Sequence, residues 1–463
     1  MHESILRTAS VYSRLLFVLI SDVPYFIIKR YLYEKIITMK NICLHILLVS
    51  ALLLCRFASA QVSLGNMALT TVTIIDANHR IPLTAQTVLI EGGMIKDVFK
   101  DGSKPIPAFY AVLPLKGKFL LPGLIDTHVH LATDPSGTDN RAHTLNVLQQ
   151  MLYSGITTVR DMAGDARTLA GLSRDALTGD IISPDIYYSA LMAGPAFFSD
   201  PRTGSSTKGA LSGKMPYMLA VTDSTNLQLA IAEAKGTGAT GIKLYADLSP
   251  GLVGKIVSEA TRQGMIVWGH AWLQQARPSD LVKAGVSSIS HAPLVVHEKF
   301  DKIPDTWKKR HASQFWDDSI PNLNTLFVLM KQRGTILDAT LLTYKKWAQT
   351  DTAMQYDYEI GKRLTIGAYK AGVTICTGTD DDQEAFVQDE IKLMVSDAGF
   401  TPIDAIIAAT LNGAKALNIA NTHGTISPGK TADLLVLDKN PLVSMDNLTS
   451  VYLVIKKGLI FKK

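Results

Sequence analysis

Cysteine is scarce in this chain, three in 463 residues, and two of them, Cys43 and Cys55, fall in an apolar leader. Loss of that leader leaves Cys376 alone, which excludes an internal disulfide and a thiolate-based metal site. An oxidising compartment stays compatible, because a chain of this length with 47% hydrophobic residues buries a core that needs no covalent staple. Low-complexity tracts and internal repeats at solenoid periods are also missing, which excludes an extended array. An excess of charge is lacking once the leader is set aside. The formal charge is +5, but residues 1–60 hold seven Lys or Arg against three Asp or Glu, leaving 39 against 38 downstream. A near-neutral body without Lys/Arg runs interleaved with aromatics has no electrostatic footprint for nucleic acid, so none is expected as a partner.

The leader reads as a secretory signal peptide over residues 39–60. Met39-Lys40-Asn41 precedes the apolar block Ile42 to Leu54, and Ala58-Ser59-Ala60 precedes Gln61 as a small-residue cleavage site. The block is too short to span a bilayer comfortably, and Leu54-Cys55 lacks the small residue expected before a lipidated Cys. The run Val11 to Ile28 is interrupted by Arg14, Asp22 and Pro24. The expectation is an exported protein, periplasmic or secreted, with no stable membrane anchor after cleavage, translation starting at Met39, and residues 1–38 as a start-site overrun.

What is present is a set of short strands at both ends and a long alternating middle. Residues 61–119 hold the runs Thr70 to Ile75, Thr87 to Ile90 and Ala111 to Leu115, punctuated by turns such as Glu91-Gly92-Gly93. Similar material returns in 416–463, with Leu434 to Asp438 and Val451 to Ile455. The two ends are expected to complete one small β-domain. Between them, over 120–415, eight β-branched runs are separated by crossover-length segments: 120–127, 155–160, 185–189, 241–245, 265–269, 286–290, 334–339 and 373–377. Eight such strands favour an α/β fold with a closed (β/α)8 barrel over an open doubly wound sheet. Helices such as 224–234 and 401–409 are expected outside it. Long loops at 191–223 and 292–325 follow the third and sixth strands, and long loops in compact barrels are commonly functional.

In such a barrel, chemistry sits at the C-terminal strand ends. The first run ends in Asp126-Thr127-His128-Val129-His130, where alternate residues share a face and two imidazoles can grip one ion. Chance alone supplies about a quarter of a His-x-His pair in a chain with 11 His in 463 positions, so placement carries the argument. Strand four carries Lys243 in Gly-Ile-Lys-Leu-Tyr, strand five ends with His270, strand six with His291, and strand eight with Asp380. His79, His143, His297, His311 and His423 lie outside this pattern. Imidazole and carboxylate without thiolate suit zinc, manganese, iron or nickel.

With these residues, the chain resembles the amidohydrolase superfamily of metal-dependent hydrolases, particularly its prolidase- and imidazolonepropionase-like members. The motifs that carry the resemblance are Leu-Pro-Gly-Leu-Ile-Asp-Thr-His-Val-His, residues 121–130, and Gly424-Thr425-Ile426-Ser427-Pro428-Gly429-Lys430-Thr431-Ala432-Asp433-Leu434. It implies a urease-like β-sandwich built from the terminal half-sheets. It also implies two divalent metal ions, zinc foremost, with His128, His130 and Asp380 on the first, His270 and His291 on the second, and a carbamylated Lys243 bridging them. An unmodified ammonium beside two dications would be repelled in a low-dielectric pocket, whereas a carbamate is an anionic bridge. Two metals lower the pKa of a bridging water to give hydroxide near neutral pH, and Asp380 is expected as the catalytic group that accepts the proton and passes it to a leaving amine.

The expected activity is cleavage of a C–N bond in a small amide, a dipeptide or N-acyl amino acid. Arg160-Asp161 is a candidate support for the ligands, or else a structural ion pair. Phe197 and Phe198 are candidates for an apolar lid, and Arg202, Lys345 or Tyr344 for contact with a substrate carboxylate. Where the prolidase-like pattern has a glycine-rich, histidine-containing segment after strand three, this chain has Gly194-Pro195-Ala196-Phe197-Phe198. Rival readings are a mononuclear cyclic-amide hydrolase or deaminase, a non-catalytic barrel paralogue, and an exported binding protein. Deaminases of this fold place a Glu three residues after the strand-five His, where Leu273 stands. The oligomeric state is left open, a homo-oligomer included.

Overall fold

The protein is described by a computed structural model over residues 65–133, 140–299, 322–381 and 386–462. The expectations for the start site and the signal peptide lie outside the described residues. Among those described, no helix is long and apolar enough to cross a membrane.

Two sheets organise the chain. The first is built from β1 (Asn66–Asp76), β2 (His79–Glu91), β3 (Met94–Lys100), β4 (Ala111–Pro114) and β5 (Phe119–Pro122) at one chain end. Its remaining strands come later: β16 (Leu434–Leu437), β17 (Val451–Lys456) and β18 (Leu459–Phe461). The two ends join where β5 runs antiparallel to β16, with Leu120 opposite Val436 and Leu121 opposite Leu435. Alternation decides which core each residue enters. Leu120, Leu434 and Val436 pack with Met67, Val88 and Ile455 inside this sheet's own core. Leu121, Leu435 and Val454 point the other way, into the larger core they share with the barrel.

The second sheet is the barrel. Its parallel strands run in the order β6 (Leu124–Val129), β7 (Ile156–Asp161), β8 (Asp185–Ala193), β11 (Gly241–Leu244), β12 (Ile266–His270), β13 (Ser288–Ser290), β14 (Ile336–Asp338) and β15 (Ile375–Cys376). The seam between first and last strands is held by Thr127 N donating to Thr377 O (3.0 Å) and Asp380 N donating to His128 O (2.8 Å). All eight expected strands are present, with one correction. The run 120–127 is two strands in two sheets, broken at Gly123, because Phe119–Pro122 pairs with the chain's far end and the barrel begins at Leu124.

The outer helices show why they form. In Pro250–Arg262, Ser249 accepts from Leu252 N at the N-cap, Pro250 occupies the first turn, and Leu252, Val253, Ile256, Val257 and Ala260 are buried. That spacing is one face of a 3.6-residue period, and each large apolar side chain so buried contributes roughly 1.5–3 kcal/mol. The expected helix 401–409 is an α-helix over Pro402–Ile407 that passes into a π-turn at Ala408–Asn412. The loop after the third strand has structure of its own: a 3-10 turn Pro195–Ser199, a short helix Pro201–Ser205, and the strands β9 (Lys214–Met215) and β10 (Met218–Ala220). After the sixth strand, Ala292–Lys299 forms a 3-10 segment, and 300–321 lie outside the described residues.

Candidate active site

The C-terminal strand ends bring the sequence-selected residues to one rim. Asp380, just past the last strand, lies within reach of three imidazoles: its Oδ1 is 2.9 Å from His130 Nε2 and 3.3 Å from His128 Nε2, and its Oδ2 is 3.7 Å from His291 Nδ1. His270 adjoins them, its ring 4.3 Å from that of His291. Lys243 is fully buried, and its ammonium donates to Ser290 Oγ at 3.3 Å.

The backbone is bent to bring them together. His291, Thr340 and Asp380 have φ of +75°, +49° and +49°, a left-handed conformation costing a non-glycine residue roughly 1–3 kcal/mol each. Tertiary hydrogen bonds hold the bends: His291 N donates to Asp338 O (2.9 Å) and Asp380 N to His128 O. Gly378 lets the last strand come close, since a Cβ there would sit 2.4 Å from Asp338 Oδ1 and 2.6 Å from His128 Cβ.

Beneath the rim lies a polar layer that sequence reasoning missed. Asp338, at the end of β14, accepts hydrogen bonds from His128 Nδ1 at 2.7 Å and from Ser290 Oγ at 2.9 Å. Thr340 Oγ1 is 3.0 Å from His291 Nδ1. Asp126, buried under His128, accepts from Thr379 N and Oγ1 and from His128 N, tying the first strand to the last. The signal was available: Asp338 ends the seventh strand, for which no ligand had been named, and Ser290 immediately precedes His291.

Arg160 and Asp161 do not pair with each other, because neighbouring strand residues face opposite ways. Arg160 turns into the barrel, 4.6 Å over the Trp268 ring and 3.9 Å from Asp338. Asp161 accepts from Leu131 N (2.6 Å) and Gly164 N (2.7 Å), fixing the loop beyond His130. The ion-pair reading is therefore corrected, and both residues support ligand-bearing segments.

Burial sets the charge states. It lowers His128 and drives His291 well below the ordinary imidazole range, so both rings favour the neutral form. Burial also pushes Lys243 down to about 7, with Arg160 adding to the effect and Asp338 opposing it. For Asp380, burial works the other way, but the surrounding histidines outweigh it and hold the carboxyl well below its usual range.

The donor set fits a divalent metal. His128 donates its Nδ1–H in a hydrogen bond to Asp338, so the neutral ring turns a bare Nε2 lone pair toward Asp380. Two acceptors facing each other repel, and a dication between them makes the contact favourable. His130 Nδ1 is buried without a hydrogen-bond partner. Ligand atoms of His128, His291 and Asp380 all lie within 4.8 Å of one another.

The five His/Asp groups open on a cavity of about 390 Å³. Leu191, Phe197, Met218 and Tyr245 line one side, Leu294, Tyr344 and Trp347 another, with Arg202, Thr203 and Lys346 among the polar groups. Phe197 is a buried wall rather than a lid, stacked on Tyr245 at 4.3 Å. Lys345 is not in the lining; it pairs with Asp397.

The family model that matches the chain is the amidohydrolase family, over residues 119–460. Among curated proteins, ochratoxinase of Aspergillus niger is 26% identical over 363 residues, covering 70% of this chain and 71% of its own. The crystal structure of A. niger ochratoxinase superposes with a TM-score of 0.68 at 23% identity, covering 86% of this chain and 95% of that one. A Bifidobacterium longum protein described as a prolidase gives a TM-score of 0.66 at 26% identity, covering 86% and 95%.

Proposed function

This chain belongs to the amidohydrolase family and is a hydrolase of carbon–nitrogen bonds, and on that premise we propose that it cleaves the amide of a small substrate, a dipeptide or an N-acyl amino acid. The observation that carries the reading is the convergence of His128, His130 and His291 on Asp380 at the floor of a largely apolar cavity. The relatives, an ochratoxinase and a protein described as a prolidase, support a carbon–nitrogen bond as the one cleaved.

In this reading, His128, His130 and Asp380 would hold one divalent ion and His270 and His291 a second, with a carbamylated Lys243 as a ligand they would share. When bound, such ions polarise a carbonyl and acidify a water. The chain's own groups do the rest. Burial keeps Lys243 near the neutral amine that adds to carbon dioxide, forming an N–C bond and releasing a proton. Asp338 fixes the His128 tautomer and Thr340 orients His291. Asp380, ionised at neutral pH, accepts the proton of the attacking water and delivers it to the departing nitrogen. The aromatic walls seat the apolar part of the substrate and exclude bulk water. Leu273, three residues after His270, is fully buried and apolar, so the proton-transfer group of a deaminase is missing there.

The test is the mature protein loaded with zinc or manganese in bicarbonate and offered dipeptides and N-acyl amino acids. Turnover with about two metal ions per chain is the expected result. Lys243→Ala is expected to lose the bridging ligand and most activity; full activity with two metals bound in that variant would refute the bridge. Export is a separate proposal, and N-terminal sequencing of secreted protein that begins well before Gln61 would overturn it.

A further inference from the structure

The cavity at the histidine rim does not end at its aromatic wall. Leu294, Tyr344 and Trp347, which line it, also line a second cavity of about 310 Å³. Met354 adds to the apolar lining of this annexe, and Thr350, Asp351 and Asp357 supply its polar part. The chain builds the shared wall locally. Tyr344 and Trp347 stand three residues apart on the helix Leu341–Ala348 and so share a face, and Met354 and Asp357 repeat that spacing on the helix Thr352–Ala371.

Close packing holds these helices against the segment that follows the sixth barrel strand. A Cβ on Gly361 would lie 2.8 Å from Pro293 Cγ and 3.5 Å from Leu341 Cδ2, so only glycine permits the approach. Along the shared wall, rings lead away from the histidine rim: His291 to Tyr344 is 6.1 Å between centroids, and Tyr344 to Trp347 is 5.4 Å. Tyr344 is buried, but Trp347 is 42% exposed, whereas Trp268 and Trp272 are 1% and 5% exposed. A half-exposed indole common to two cavities is apolar surface that a ligand lying across both would cover. Each cavity alone, about 390 and 310 Å³, sits at the low end of the roughly 300–1,000 Å³ of small-molecule pockets. The first suits a compact amide, and only a longer one reaches the second.

Resting on the amide-hydrolase reading, we propose that the annexe is a distal subsite, which seats a flat apolar group carried several bonds away from the scissile bond and across the face of Trp347. The substrate class narrows accordingly to elongated amides with an apolar tail over compact ones.

Calorimetric binding to the metal-loaded protein tests this without turnover, using 3-phenylpropanohydroxamate and 8-phenyloctanohydroxamate, which share a metal-chelating head and a ring and differ in reach. Wild type is expected to bind the longer probe roughly 10- to 100-fold more tightly, the gain from burying one further large apolar group. Met354 is half-buried and lines the annexe alone. Met354→Trp fills the annexe and should bring the ratio close to one, whereas Met354→Ala leaves it open and should keep the preference. Trp347→Ala should lower the ratio by removing the ring that the tail crosses. Thermal melts of the variants establish that they are folded. Equal affinities in wild type, no binding of either probe, or a preference that survives Met354→Trp would each overturn the proposal. Failure of the amide-hydrolase reading shows instead in the turnover screen.

Discussion

Among the described residues lie two clusters of histidine and carboxylate, at opposite ends of the barrel. The rim holds His128, His291 and Asp380; the other holds Asp185, at the start of β8, with His423 and Asp433 where the terminal sheet meets the barrel. In both, the ligand-type atoms lie within 4.8 Å of one another. Their surroundings differ. Asp185 is paired with two ammoniums, Lys456 at 2.7 Å and Lys457 at 2.9 Å, so its charge is already offset. Around Asp380, the partners are imidazoles, two of which burial holds toward neutrality, and a lysine whose charge burial disfavours. Ligand-type residues remain candidates to hold a metal where imidazoles rather than ammoniums meet the carboxylate. Where lysines close the balance, the same residues are a structural tie.

The sharpest way to break this contrast is a matched pair of substitutions. Asp380→Ala should abolish turnover and strip metal, a loss exceeding the roughly 10- to 100-fold expected for an outer-shell partner. Asp433→Ala should leave metal content and turnover intact and cost about 1–2 kcal/mol, because the Lys457 N–H that donates to its Oδ1 loses its acceptor. Metal analysis of both proteins decides, and loss of metal in the Asp433 variant would erase the distinction. A smaller effect is expected from Asp338→Asn, which keeps the shape under His128 but removes the charge that fixes its tautomer. Chelator competition should show metal affinity reduced roughly 10- to 100-fold, and unchanged affinity would remove Asp338 from the site.

The smallest effect falls on stability alone. Glu390 is buried and accepts from Leu341 N and Leu342 N, anchoring the helix that carries Tyr344 and Trp347. Burial raises it from an ordinary 4.5 to about 8, so the folded state binds the proton more tightly than the unfolded one. Its contribution is then greatest below about 4.5 and is lost as pH rises through about 8. The Tm of wild type should fall relative to Glu390→Gln over that interval, by on the order of 5 °C. Parallel Tm profiles would contradict it.

Much of the rim could be read from the chain because strand ends are local features. An apolar run closing in His128-Val129-His130, or in Cys376-Thr377-Gly378-Thr379-Asp380, identifies itself without reference to anything distant. The polar support could not be read so directly. Asp338 is one carboxylate in a short apolar run, and only barrel closure, which leaves β14 one strand away from β6, puts it 2.7 Å from a histidine 210 positions away. The fate of Arg160 and Asp161 was hidden for a similar reason: adjacent letters in a strand serve opposite faces.

By itself the sequence determined the periodicities: eight β-branched runs with crossovers, complementary half-sheets at the two ends, and ligand-type residues at five strand termini. These follow from side-chain alternation and burial, which act within a few residues of each other. Tertiary structure alone decided which carboxylate holds which imidazole, and which of the two His–Asp clusters has its carboxylate paired with lysines. Those depend on charge and lone-pair balance over a few ångströms, between residues that the chain keeps hundreds of positions apart until the barrel closes.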